Sequence, residues 1–212
     1  MPTPTIPAPP HLMLGSTSVY RRELLQRLRL PFEVVAPQVG EGVHPDELPA
    51  NLALRLALEK AHEVALRLAP HWPDAVVIGA DQVADLDGEA IGKPGNFERA
   101  RAQLQRLRGR SVVFHSAVAV VRRATAFAQV LSAPVTVHFR ALTDAEIERY
   151  LQLEQPYDCA GSAKCETLGI SLLESIDSDD PTALIGLPLI RTSALLRACG
   201  LDPLAVLAGV TQ

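Results

Sequence analysis

Large rings are scarce in this chain: five Phe, three Tyr and one Trp make up 4% of 212 residues, so the interior must be built from aliphatic side chains. Cysteine is scarcer still. Cys159, Cys165 and Cys199 are an odd count with no closely spaced pair, which excludes a disulfide framework and a zinc knuckle and points to a reducing, cytoplasmic setting. No apolar run reaches 18 residues, and the first ten residues carry neither a basic segment nor an apolar one, so membrane spans and a secretory leader are not expected. An excess of positive charge is also missing. Against 24 Asp and Glu stand 20 Lys and Arg, a net charge of −4, which argues against a general nucleic-acid binder. The six His show no HxH or HxxxH spacing for a metal.

What is present is ordinary for a globular protein: 48% apolar and 21% charged residues, in a length that suits one domain. Residues 1–10 hold five prolines and read as a disordered tail, leaving 11–212 as a single domain. Among the cations, 17 are Arg and three are Lys (Lys60, Lys93 and Lys164). Where Arg is the default cation, a retained Lys is a candidate for a site that needs a compact ammonium rather than a planar fork.

The hydrophobic pattern predicts a strand at 11–15, a helix at 20–30, a strand at 32–36 and a helix at 51–68. A buried strand at 75–80 then runs into Asp81, and a hairpin turns at Leu86-Asp87-Gly88. A helix at 98–107, two partly antiparallel strands at 111–122 and 126–139, and a helix at 143–153 follow. Thr143 and Glu146 have the capping-box spacing at the start of that helix. A glycine-bounded loop at 157–169, a strand near 170–173, an acidic turn at 177–180 and a final helix at 188–199 complete an α/β chain with a mixed sheet.

Four places carry chemistry. Gly15-Ser16-Thr17-Ser18 opens a helix whose first turn contains Arg21 and Arg22, a poor place for cations unless an anion binds there; Ser18 as a plain N-cap is the alternative. Asp81, at the carboxyl edge of a buried strand, is either a metal ligand or general base, or a turn cap. Lys93 sits between Gly92 and Pro94, and without a Gly-x-x-x-x-Gly-Lys-Ser/Thr loop a P-loop enzyme is excluded. The 159–169 loop holds Ser162, Lys164, Cys165 and Glu166; with no His nearby in sequence, Cys165 is not assigned as a nucleophile. Lys60, by spacing alone, reads as a solvated helix residue.

Together, Leu14-Gly-Ser-Thr-Ser-Val-Tyr-Arg-Arg-Glu-Leu-Leu25, Glu59-Lys-Ala61, Ile78-Gly-Ala-Asp-Gln-Val83, Leu86-Asp-Gly88, Gly92-Lys-Pro94, Tyr157-Asp-Cys-Ala-Gly-Ser162 and Gly186-Leu-Pro-Leu189 resemble, in this order, the Maf family of nucleoside triphosphate pyrophosphatases. Gln82 after Asp81, and the segments 160–166 and 180–190, are similar to its YceF-like branch. The resemblance implies an elongated α/β/α Maf/ITPase-like fold with a mixed twisted sheet and two lobes around a central cleft, usually as a homodimer. It also implies hydrolysis of 7-methyl-GTP to 7-methyl-GMP and pyrophosphate with a divalent cation, Mg²⁺ or Mn²⁺.

In that reading Asp81 and Glu41 bind metal and activate water, with Asp81 the family's proton acceptor. Lys93, Lys60, Arg21, Arg22 and Ser16 hold phosphates. Tyr20, Gln82 and Glu166 match the specificity positions: Tyr20 is expected to stack on the base and Glu166 to accept from the guanine N1 and N2 hydrogens, with Lys164 beside it. The chain departs from the family's usual start at Gly15 and Val19. It departs from the branch at Tyr20, Ala163, Cys165 and Thr167, and Gly40-Glu41 retains one carboxylate of a usual acidic pair. Two other readings stand: a Maf-type enzyme for another nucleotide such as dTTP or UTP, and a nucleotide-binding regulator of cell division that does not depend on turnover.

Overall fold

A computed structural model describes residues 10–208. The expected tail lies outside the described residues except for Pro10. The chain runs β1 (Leu12–Gly15), α1 (Val19–Gln26), β2 (Phe32–Val34), α2 (Pro49–Leu68), β3 (Val76–Leu86), β4 (Glu89–Ile91), α3 (Phe97–Leu107), β5 (Ser111–Arg122), β6 (Phe127–Phe139), α4 (Asp144–Glu154), β7 (Leu173–Asp177), α5 (Leu189–Ala198) and α6 (Pro203–Ala208). The seven strands form one mixed sheet in the order β2-β1-β3-β5-β6-β7, with β4 on β3. β2, β1 and β3 are parallel, and every other pairing is antiparallel.

Strand alternation sorts the core onto two faces. Met13 and Val77 face α2 together with Leu56, Ala57, Ala61 and Val64. Leu12, Leu14, Val76, Ile78 and Ala80 face the other way, against Leu24 and Leu25 of α1 and Leu195 and Leu196 of α5. Further along that second face, Ala84, Leu86, Val112 and Phe114 pack on Leu104 of α3 and on Ile147 and Leu151 of α4. The sheet is thus covered by helices on both sides, as expected for α/β/α.

The hairpin after β3 turns at Asp87 and Gly88, both with positive φ (55° and 88°), the conformation that a two-residue turn of this hand demands. The capping box at Thr143 and Glu146 is also present.

Several expectations need correction. β3 does not end before Asp81; it continues to Leu86, because from Ala80 onward β5 still pairs with it residue for residue. The strand expected near 170–173 starts only at Leu173, since 168–172 close into a 3₁₀ turn. The helix expected to reach residue 30 stops at Gln26, and α6 was not foreseen. Among the described residues no helix is long and apolar enough to cross a membrane.

Candidate functional site

The pairing register creates an opening. Along one edge of β3, β1 covers residues 76–79 and β4 covers 84–86, so residues 80–83 have no strand neighbour on that side. The polar turn after β1 and the Gly92-Lys93-Pro94 segment after β4 both arise at the ends of the two covering strands. Asp81 and Gln82 lie within the gap, and as neighbours in a strand they point to opposite faces. The rule that ligands gather at the carboxyl ends of parallel strands holds here in altered form: the parallel pairing ends at Gly79, although the strand does not.

On the α2 face the helix lies flush against β3 because Gly79 has no side chain. A Cβ there would meet the Ala57 carbonyl oxygen at 2.2 Å and the Ala61 nitrogen at 2.6 Å. This close approach brings Lys60 over Asp81. Lys60 is not solvated, as its spacing suggested, but 4% exposed, and its Nζ donates to Asp81 Oδ1 at 2.6 Å. The same ammonium meets Glu41 Oε1 at 2.5 Å. That hydrogen bond holds the Glu41 carboxyl below its usual range, despite some opposing desolvation.

The other side of the opening is built on α1. Ser18 caps the helix by accepting from the Arg21 amide, and Ser16 is buried beneath it. Arg21 folds back, its Nε donating to the Gly186 carbonyl at 3.0 Å and its Nη1 to Ser16 Oγ at 3.4 Å. Burial pulls the Arg21 pKa down, and attraction to Asp81 and Glu41 opposes this, which places all three groups in one electrostatic neighbourhood. Lys93 is exposed but near enough to help lower Glu41. Arg22 departs from its neighbour: it faces solvent, and its side chain makes no hydrogen bond or ion pair among the described residues.

Tyr20, Lys164 and the 157–166 loop form the next group. Burial raises the Tyr20 pKa, and the neighbouring Lys164 opposes this. The Lys164 ammonium lies 3.6 Å from Asp158. Gly169 lets this loop close, since a Cβ there would stand 2.4 Å from the Lys164 carbonyl oxygen. Glu166 is exposed beside Cys165.

Burial pushes both Cys159 and Cys165 up to about 12, so neither thiol is ionised at neutral pH. Because the thiolate is the reacting form and the folded pKa is raised, reactivity is suppressed below about 12. Alkylation of the native protein at pH 7 is expected to run more than about a hundredfold slower than that of a free thiol, and to match it after unfolding. Mass-spectrometric counting of modified cysteines checks this.

Sequence reasoning passed over two residues. Asp180, 0% exposed, accepts from the amides of Ile190 and Arg191 at 2.9 and 3.2 Å and from the Thr182 hydroxyl at 3.0 Å. It thereby caps α5, whose own cap position is Pro188 with no side-chain acceptor. The Asp-Pro-Thr order inside an acidic turn was the available signal. Asp180→Ala is expected to cost about 2 kcal/mol by loss of this cap. It should also raise KM, because the 180–190 segment carries the Gly186 carbonyl that holds Arg21; melting and steady-state kinetics of the variant check both.

The second is Ser116, a single buried hydroxyl inside the apolar run of β5. A surface hollow of about 400 Å³ between α4 and the 168–172 turn contains none of these residues.

The family model described as Maf-like protein matches residues 11–199. The chain belongs to the Maf family. Among curated Maf relatives, a protein of Albidiferax ferrireducens named 7-methyl-GTP pyrophosphatase is 61% identical over 193 residues, covering 91% of this chain and 95% of its own. One of Polaromonas sp., with the same name, is 64% identical over 189 residues, covering 89% and 84%. A solved structure, the Staphylococcus aureus Ham1 protein, overlaps 62% of this chain and 72% of its own with a TM-score of 0.45 at 15% identity.

Proposed function

We propose that this Maf protein is a nucleoside triphosphate pyrophosphatase that hydrolyses 7-methyl-GTP to 7-methyl-GMP and pyrophosphate. The observation that carries the reading is the convergence of Asp81, Lys60 and Glu41 at the uncovered edge of β3, within electrostatic reach of Arg21. The name borne by relatives about 60% identical over nearly the whole chain supports the substrate.

Release of pyrophosphate requires water to attack the α-phosphorus, a proton to leave that water, and the bond from the α-phosphorus to the bridging oxygen to break. Asp81 Oδ1 is engaged by Lys60, which orients the carboxylate and leaves Oδ2 to accept the proton. Arg21, held in place by Gly186 and Ser16, and Lys93 at the rim supply positive charge for the triphosphate. Lys60, shared between Asp81 and Glu41, offsets one of their two negative charges.

Two carboxylates of hard oxygen donors fit a cation such as Mg²⁺ or Mn²⁺, which takes one or two protein carboxylates and fills its other positions with phosphate and water. Glu41 and Asp81 would hold it, and it would supply charge neutralisation at the phosphates. Among the described residues no group of three or more His, Cys, Asp or Glu is placed to hold a metal ion. Cytoplasmic location and a homodimer belong to the same proposal, the latter open to light scattering.

Pyrophosphate release from 7-methyl-GTP, GTP, dTTP and UTP, with Mg²⁺ and separately with Mn²⁺, tests the reading. Highest kcat/KM for 7-methyl-GTP by at least about tenfold is the expected result. Preference for dTTP or UTP would retain the chemistry and discard the substrate, while binding without turnover would put the regulatory reading first.

A further inference from the structure

On the face of the sheet away from α2, β3 and β5 present two apolar stretches separated by one polar pair. Ile78 and Ala80 precede Gln82, and Ala84 and Leu86 follow it; on β5, Val120 and Val118 lie on one side of Ser116 and Phe114 and Val112 on the other. Gln82 and Ser116 are direct partners in the register, so both side chains project to the same face. A polar seam between two apolar clusters has to be satisfied by hydrogen bonds, and the turn at 183–185 provides them.

The directions of these bonds are fixed by chemistry. Ser116 Oγ lies 2.6 Å from the Ala183 carbonyl, which can only accept, so the serine proton is committed there. Ser116 Oγ must then accept from Gln82 Nε2 at 2.8 Å. The same nitrogen lies 2.9 Å from the Leu184 carbonyl and 3.1 Å from the Ala183 carbonyl, both pure acceptors. The opposite orientation of the carboxamide would set its oxygen against carbonyl oxygens and break the chain at Ser116. With Nε2 engaged, Oε1 makes no hydrogen bond among the described residues and keeps some accessible surface.

We propose that Ser116 is a positioning residue for substrate selection: together with the Ala183 and Leu184 carbonyls it locks Gln82 so that the site offers the base a hydrogen-bond acceptor and never a donor. A purine edge that presents an N–H at this point is accepted, and an edge that presents a ring or carbonyl acceptor there meets oxygen against oxygen. This deepens the reading of the chain as a 7-methyl-GTP pyrophosphatase and rests on it for the identity of the base. The lock stands on the opposite face of the sheet from Asp81 and Lys60, so it does not touch the pair assigned to the phosphorus chemistry.

The test is steady-state kinetics with 7-methyl-GTP and dTTP on the full-length wild type, Ser116→Ala, Ser116→Thr, Gln82→Ala and the double variant, each confirmed folded by its melting curve. Ser116→Ala is expected to raise KM for 7-methyl-GTP about tenfold with kcat within about threefold, the loss of one oriented hydrogen bond. Its effect on dTTP should be small. Ser116→Thr, which keeps the hydroxyl at a strand position suited to a β-branched residue, should restore KM to within about twofold. The double variant should be no worse than Gln82→Ala, because Ser116 acts through Gln82.

Unchanged KM in Ser116→Ala, equal losses on both nucleotides, failure of Thr to restore, or additive effects in the double variant would each overturn the lock. If the wild type prefers another nucleotide, the base assignment falls while the lock is judged on that nucleotide by the same variants. It stands if KM rises and Thr restores it, and it falls otherwise.

Discussion

Asp81→Asn is expected to lower kcat for pyrophosphate release by about a thousandfold or more, with KM changed far less. A positioned general base contributes on the order of 10²–10⁴ in rate, and the amide cannot accept the proton. The geometry makes the substitution informative. Asn has nearly the same shape, so its oxygen still receives the Lys60 hydrogen bond that Asp81 Oδ1 receives at 2.6 Å, and the buried ammonium keeps Glu41 as a charged partner. A loss of activity with a folded protein would therefore report chemistry rather than collapse. Steady-state pyrophosphate release beside a thermal melt makes the distinction; more than about a tenth of wild-type kcat in the folded variant would remove Asp81 from the role of proton acceptor.

Gly79→Ala should be the most destabilising single methyl group in the sheet, costing about 4 kcal/mol and lowering Tm by roughly 10 °C. The added carbon would lie 2.2 Å from the Ala57 carbonyl oxygen, 2.6 Å from the Ala61 nitrogen and 2.9 Å from the Ala61 Cβ. None of these is the flexible end of a side chain, so relief requires α2 to lift from β3. Lifting α2 also carries Lys60 away from Asp81, so activity should fall along with stability. Gly15→Ala is the natural comparison, with its nearest contact at 3.2 Å and a smaller expected cost. Denaturant melts of the two variants decide the matter; a Gly79→Ala protein as stable as the wild type would mean that the flush packing of α2 does not set the position of Lys60.

Most of the fold could be read along the chain because each element carries its own local signal. Thr143 and Glu146 announce the start of α4, Asp87-Gly88 announces the hairpin, and the continuous apolar run Leu12-Met13-Leu14 announces a strand buried on both faces. Where the reading failed, partner strands outside the local window decided. Nothing in Ala80 to Asp85 says that β5 will keep pairing there, to complete ten residue pairs from Val76 to Asp85, so the buried strand was expected to end at Ala80 and run into Asp81.

The candidate site divides in the same way. Sequence by itself determined the family, the residue types and their order, including Asp81, Lys93, Arg21 and Ser16, because these lie in short motifs that survive as strings. Tertiary structure alone decided that Lys60 is buried and shared between Asp81 and Glu41, that Arg22 faces solvent while Arg21 turns inward, and that Asp81 and Gln82 serve opposite faces of one strand. The physical reason is that burial and pairing are properties of surfaces brought together from residues tens of positions apart. A lysine on a helix looks solvated until a glycine on another element lets that helix settle onto the sheet.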